Sequence, residues 1–227
     1  MRIVVFGATG GTGRHLVAQA LAAGHRVTAF TRNAAAIPPQ PGLAIFSGDS
    51  RDAGAVAQAV SGHDAVVCAL GGRPWRRREF VCSNAIRHIV AAMTACRVRR
   101  IVAMSTFGAG DTRAHVGALA RHVLFGVVLR SEVADKEAME RALAATDLDW
   151  TVVRVGLLAD RPARGTWRAA DDGSIRAMRR IARADVATFM LRSLASDEWV
   201  RRRPVLMDQG EPPATSIRRV TARGRGD

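Results

Sequence analysis

Two rhythms of apolar and polar positions alternate along this chain. Short, nearly uninterrupted apolar runs occur at residues 2–6, 26–31, 43–46, 65–70, 100–105, 150–155 and 205–207, as expected of strands buried on both faces. Between them apolar residues recur at three- and four-residue intervals, as in Leu16, Ala20 and Leu21. This predicts amphipathic helices over 11–23, 52–61, 79–96, a long stretch ending near 146, and 184–195. Strands alternating with helices predict an α/β fold: a doubly wound parallel sheet in a single domain. That domain is expected to span residues 1–210. Residues 211–227 hold two prolines and four arginines with almost no apolar period, which predicts a mobile basic tail.

The turns between these elements carry the first chemistry. The opening strand runs into Gly7-Ala8-Thr9-Gly10-Gly11-Thr12-Gly13, and a helix follows at once. Strand, glycine turn and helix in that order form the phosphate-binding turn of a Rossmann dinucleotide fold. Gly7 makes the tight turn, Gly10 admits a pyrophosphate, Gly13 lets helix and strand pack closely, and the helix N-terminus offers N–H groups to the anion. An NAD-binding protein would place a carboxylate for the ribose hydroxyls roughly 20 residues further on. Here that position reads Thr31-Arg32-Asn33, and no Asp or Glu occurs before Asp49. A guanidinium at residue 32 suits a 2′-phosphate, so the expected cofactor is NADP(H).

Composition changes this picture little. The formal charge of +14 would suit a nucleic-acid partner, but Lys136 is the one lysine among 34 basic residues, and the arginines lie in short scattered clusters. A compositional bias explains the charge better than a binding face does, and no specific nucleic-acid partner is expected. An apolar run such as residues 123–129 is far short of the roughly 20 residues that cross a bilayer, so no membrane role is expected either. Three cysteines without a Cys-x-x-Cys spacing suggest neither disulfides nor zinc, and the six histidines show no ligand spacing. With an apolar strand rather than a leader-like segment at the start, the expected location is cytoplasmic.

The glycine turn, Gly48-Asp49 after the third strand and Leu70-Gly71-Gly72-Arg73 after the fourth resemble the atypical short-chain dehydrogenase/reductases that include NmrA-like proteins. Within that group the likeness is greatest to the flavin reductase/biliverdin-IX-beta reductase family. Ile89-Val90-Ala91-Ala92-Met93, Asp160 and Pro162 before Gly165, and Phe189-Met190-Leu191-Arg192 extend the resemblance to Glu198. It implies cofactor contacts at Gly7, Thr9, Gly10, Thr12, Gly13, Arg32, Asp49, Ser50, Leu70, Gly71 and Arg73. Two positions depart from the family. Its second phosphate-binding arginine falls on Ala36, and its Pro-Pro pair after the sixth strand is Val155-Gly156.

Short-chain dehydrogenases carry Tyr-x-x-x-Lys, but this chain has no tyrosine, and Glu132 stands four before Lys136. The resemblance keeps Lys136 as the family's lysine and places a hydroxyl beside the nicotinamide at Ser105 or Thr106. One residue of strand register decides which of the two points inward. The expected activity is hydride transfer from NADPH to a small hydrophobic or aromatic acceptor such as a flavin, tetrapyrrole, quinone or polyketide-like ring. The missing phenol leaves open an NmrA-like regulator that binds NADP without turnover, and a redox-neutral cyclase or isomerase. Residues 117–129 are apolar enough to wall the substrate pocket or to form a plain core helix.

Overall fold

A computed structural model describes residues 1–71, 80–115 and 130–210. Gly72, Arg73, the 117–129 stretch, His122 and the 211–227 tail lie outside these residues. The elements are β1 (Arg2–Phe6), α1 (Gly11–Ala22), β2 (Arg26–Thr31), β3 (Leu43–Ser47), α2 (Ala53–Val60), β4 (Ala65–Cys68) and α3 (Val81–Cys96). Next come β5 (Arg100–Thr106), α4 (Arg130–Ala144), β6 (Asp149–Val155), β7 (Leu157–Ala159), β8 (Trp167–Ala170), β9 (Arg180–Ala182), α5 (Arg183–Leu194) and β10 (Val205–Asp208).

The main sheet has eight strands in the order β3-β2-β1-β4-β5-β6-β10-β8. Every pairing in it is parallel except that of β8 on β10. The fold is therefore the expected doubly wound one, with an antiparallel strand at one edge. Strand order reverses between β1 and β4, which opens a crevice at the carboxyl edge of the sheet. Phe6 lies opposite both Phe30 and Cys68, so the turns leaving β1, β2 and β4 emerge side by side.

Alternation along the strands sorts the core into two layers. Ile3 and Val5, with Val102, Met104, Val153 and Val155, pack against α1 and α5. Val4 and Phe6, with Ile101, Ala103 and Val152, pack against α2, α3 and α4. Each buried Val, Ile, Met or Phe among them contributes about 1.5–3 kcal/mol through burial, enough in sum to hold the strand ends rigid beneath the crevice.

Candidate functional site

At the switch point the chain leaves β1 through Gly7, which has φ +83°. A Cβ there would stand 2.8 Å from the Ala69 carbonyl carbon, so only glycine lets the turns after β1 and β4 pack together. At Gly13 a Cβ would stand 2.0 Å from Gly7 O, so α1 sits directly on the turn. Gly10 N–H donates to Gly7 O at 3.0 Å. No side chain caps α1, and its first turn contains no acid. Its terminal N–H groups and positive dipole therefore face the crevice without a local anion. Thr12 is buried, and its hydroxyl has no hydrogen-bond partner among the described residues. A glycine cradle, an uncapped helix start and an orphaned hydroxyl together fit the diphosphate of a dinucleotide.

Arg32 follows β2, exposed, with no hydrogen bond to any described residue. Asp49 follows β3, and its carboxylate accepts from Arg51 Nη2 at 2.6 Å and from Arg51 N at 3.0 Å. The hydrogen bonds from Arg51 hold its pKa down at about 2, with Arg32 adding a weaker pull. Ser50 is nearly buried, and its carbonyl lies 3.0 Å from His88 Nδ1. Gly71 is exposed, with room for a Cβ. Thr9 is half-buried and accepts from Arg14 Nε through its carbonyl at 3.2 Å.

Lys136 lies in the middle of the site. Its ammonium donates to Leu70 O at 2.7 Å and Met104 O at 2.8 Å, tying the carboxyl ends of β4 and β5 together. Burial opposes its charge, but the acidic groups facing it, Glu132 among them, outweigh that and its pKa lies above the ordinary value. Burial raises both thiols, Cys82 to about 12, so neither is a reactive nucleophile near neutral pH. One residue earlier, Asp135 accepts from Cys82 N and Ser83 N, each at 2.8 Å, and so caps α3. Glu132, one turn before Lys136, makes no hydrogen bond to a described residue. Burial raises its pKa, with Lys136 opposing.

The two hydroxyls at the end of β5 face opposite layers. Ser105 continues the Ile101 and Ala103 face, is buried, and donates to Glu140 Oε1 at 2.6 Å. The Glu140 carboxylate also accepts from Arg154 Nε at 3.1 Å and Nη2 at 2.7 Å, and Arg154 reaches Asp111 at 2.5 Å. Burial opposes the Arg154 charge, but these two carboxylates outweigh it and hold its pKa above the usual value. The proton of Ser105 is thus engaged in a buried ionic network. Thr106 faces the other layer, half-buried, and among the described residues makes only a 3.2 Å bond to its neighbour's carbonyl, Phe107 O.

These elements bring every described candidate residue to the carboxyl edge of one sheet. The profile of the family described as NAD(P)H-binding matches residues 7–197. The chain belongs to the NAD(P)H-binding family. The chain is 27% identical to the maize (Zea mays) isoflavone reductase homolog IRL, over 95% of this chain and 70% of that protein. Its structure is similar to ChuY, an anaerobillin reductase from Escherichia coli O157:H7, with a TM-score of 0.79 and 26% identity over 94% of this chain and all of that one. A short-chain dehydrogenase/reductase from Veillonella parvula, solved with NADP, shares the fold with a TM-score of 0.78 at 19% identity, covering 92% of this chain and 95% of that one.

Sequence reasoning missed the Glu140–Arg154 pair, the Asp135 cap and Arg183, which lies over the glycine turn. For the pair a signal was present. Arg154 interrupts the apolar strand of residues 150–155, and a buried guanidinium requires a carboxylate. Among the described residues no group of three His, Cys, Asp or Glu side chains is placed to hold a metal, and no helix is long and apolar enough to cross a membrane.

Proposed function

We propose that this member of the family is an NADPH-dependent reductase acting on a small conjugated or aromatic acceptor, such as a flavin, tetrapyrrole, quinone or polyketide-like ring. The observation that carries the cofactor choice is Arg32, an exposed guanidinium with no hydrogen bond to a described residue, standing where an NAD-binding protein would need a carboxylate. The fold shared with an NADP-bound protein, and the likeness to an anaerobillin reductase and to an isoflavone reductase homolog, support the same reading. Gly7, Thr9, Gly10, Thr12 and Gly13 would hold the diphosphate, Arg32 the 2′-phosphate, Asp49 and Ser50 the adenine end, and Leu70 and Gly71 the nicotinamide side. When bound, NADPH supplies the hydride.

The chain's own part is positioning and proton supply. Lys136 fixes the ends of β4 and β5 beneath the reacting ring. Ser105 is committed to Glu140, so its role is to brace β5. Thr106 is left to hydrogen-bond the acceptor. The half-buried Glu132 carboxyl, held more readily protonated than an exposed one, supplies or orders the proton that follows the hydride. Conjugated acceptors suit this arrangement because they stabilise the anion left by hydride addition and tolerate a weak acid.

The test is oxidation of NADPH against a panel of flavins, quinones and tetrapyrroles, run beside a binding titration. Turnover with a conjugated acceptor and tighter binding of NADPH than of NADH are expected. Equal dissociation constants for NADPH and NADH would refute the NADP assignment. Tight binding without turnover on any acceptor would favour a regulator that reads NADP, a reading to which the commitment of Ser105 to the scaffold lends some weight.

A further inference from the structure

Arg183 is the first residue of α5, and its side chain lies across the first turn of α1. A Cβ built on Gly11 would stand 2.7 Å from Arg183 Cδ and 2.8 Å from Nε. The guanidinium therefore rests on the same glycine turn whose N–H groups face the crevice. Its placement is set by helix packing. Gln19 of α1 donates from Nε2 to Ala184 O at 3.0 Å and accepts from Thr188 Oγ1 at 3.0 Å, which pins the start of α5 to α1. Only a weak partner holds the charge. Arg183 Nε donates to Asp160 Oδ1 at 2.7 Å, and the Asp160 side chain is 81% exposed. Such a pair contributes little stability. Among the described residues the two Nη groups have no hydrogen-bond partner.

We propose that Arg183 is a binding residue for the cofactor's diphosphate, and that Asp160 is a displaceable carboxylate that holds its place before the cofactor binds. This rests on the dinucleotide reading above. The uncapped N–H groups of α1 and the orphaned Thr12 hydroxyl present one side of an anion site. Arg183 closes it from α5 with the planar donor fork that suits two phosphate oxygens. An incoming diphosphate carries more charge than one carboxylate and also engages the helix dipole, so it wins the guanidinium from Asp160. Arg183 then contributes to binding any dinucleotide, whereas Arg32 contributes only where a 2′-phosphate is present.

The experiment is a titration of the full chain at fixed ionic strength with NADPH, NADH, ADP-ribose and adenosine 2′-monophosphate, which has no diphosphate. Thermal melts confirm folding of each variant. Arg183→Ala is expected to weaken the first three ligands by about 10- to 100-fold and to leave the fourth unchanged. Arg183→Lys keeps the charge without the fork and should fall between. Asp160→Asn removes the competitor and should tighten the three diphosphates by a few fold. The double variant should match Arg183→Ala, because Asp160 acts only through Arg183. Unchanged affinities in Arg183→Ala, equal loss for adenosine 2′-monophosphate, or weaker binding in Asp160→Asn overturns this inference while leaving the dinucleotide reading intact. Failure of the unaltered protein to bind any of the four overturns both.

Discussion

Ser105→Ala removes the donor of the 2.6 Å bond to Glu140 Oε1 and leaves both bonds from Arg154 to that carboxylate in place. One hydrogen bond to a charged group contributes about 1.5–3 kcal/mol. Because Arg154 Nε still serves the same oxygen, the loss should fall at the lower end, about 1.5 kcal/mol. In a chain of this size each kcal/mol shifts the melting temperature by roughly 2–4 °C, so a fall of about 3–6 °C is expected. Glu140→Ala is more severe. It leaves Arg154, 4% exposed, with a single carboxylate, Asp111, that is 77% exposed. Breaking a buried ion pair costs about 3–5 kcal/mol, or roughly 6–20 °C.

The double variant separates a scaffold role from a chemical one. Once Glu140 is gone Ser105 has no ionic partner, so adding Ser105→Ala should cost less than about 0.5 kcal/mol more, and the cycle should show a coupling comparable to the single serine effect. Thermal and urea unfolding of the four proteins give these values, and single-turnover hydride transfer gives the chemistry. A general acid contributes about 10² to 10⁴ in rate. A brace should cost under about tenfold. Loss of more than about 10² in rate from Ser105→Ala, with the melting temperature unchanged, would show that Ser105 is the proton donor and refute the reasoning.

Arg32→Asp should weaken NADPH by about one to two decades with little effect on NADH, as read by fluorescence titration; equal weakening of both would show that Arg32 does not see the 2′-phosphate. Lys136→Met removes the ammonium that donates to the Leu70 and Met104 carbonyls, leaving Leu70 O with the weak Cys82 Sγ donor at 3.3 Å; each hydrogen bond from a charged group contributes about 1.5–3 kcal/mol, so both melting temperature and cofactor affinity should fall. Lys136→Arg should not restore them, because a slot fitted to a point charge between two carbonyls 2.7 and 2.8 Å away has no room for a planar fork; full rescue would place Lys136 outside the core. Glu132 has a pKa raised by burial, so the folded state holds its proton more tightly than the unfolded one, and stability falls as pH rises from the unfolded value through the folded one. Glu132→Gln should therefore raise the melting temperature near neutral pH, with the gain vanishing in acid below the unfolded pKa. It should also remove the decline of kcat with rising pH, and an unchanged pH profile would take Glu132 out of the proton path.

The strands that carry the site were legible because burial on both faces forces unbroken apolar runs, and β1 and β2 begin and end where those runs do. The fourth strand stops at Cys68 rather than running to residue 70, since the Leu70 carbonyl is taken by Lys136 Nζ and Cys82 Sγ and its backbone leaves the ladder. β7, β8 and β9 were not foreseen. They are three or four residues long, and segments such as Trp167-Arg168-Ala169-Ala170 show no period that could mark them. They exist because distant segments of chain offer edges: β8 pairs with the four residues of β10, and β7 and β9 pair with each other. Gly156 shows the same dependence on distant chain. A Cβ there would stand 2.2 Å from Arg179 O, so glycine in place of the related family's proline is what lets β9 lie beside β7.

The candidate site divides along the same line. Residues that act through backbone geometry, Gly7 and Gly13 above all, announce themselves by type and spacing, because glycine is the one residue that fits. Residues that act through a partner do not. Ser105 and Thr106 are adjacent hydroxyls at the same strand end, and what separates them is that Glu140, thirty-five positions away, accepts from Ser105 on one face, whereas on the other Thr106 bonds, among the described residues, to its neighbour's carbonyl. The missing tyrosine carries the same lesson into chemistry. Taken alone it argues against proton transfer at this edge. Set beside a serine engaged in an ion network and a half-buried glutamate one turn from Lys136, it shifts the task to a carboxyl whose protonation depends on burial, and whose rate contribution would accordingly fade as pH rises.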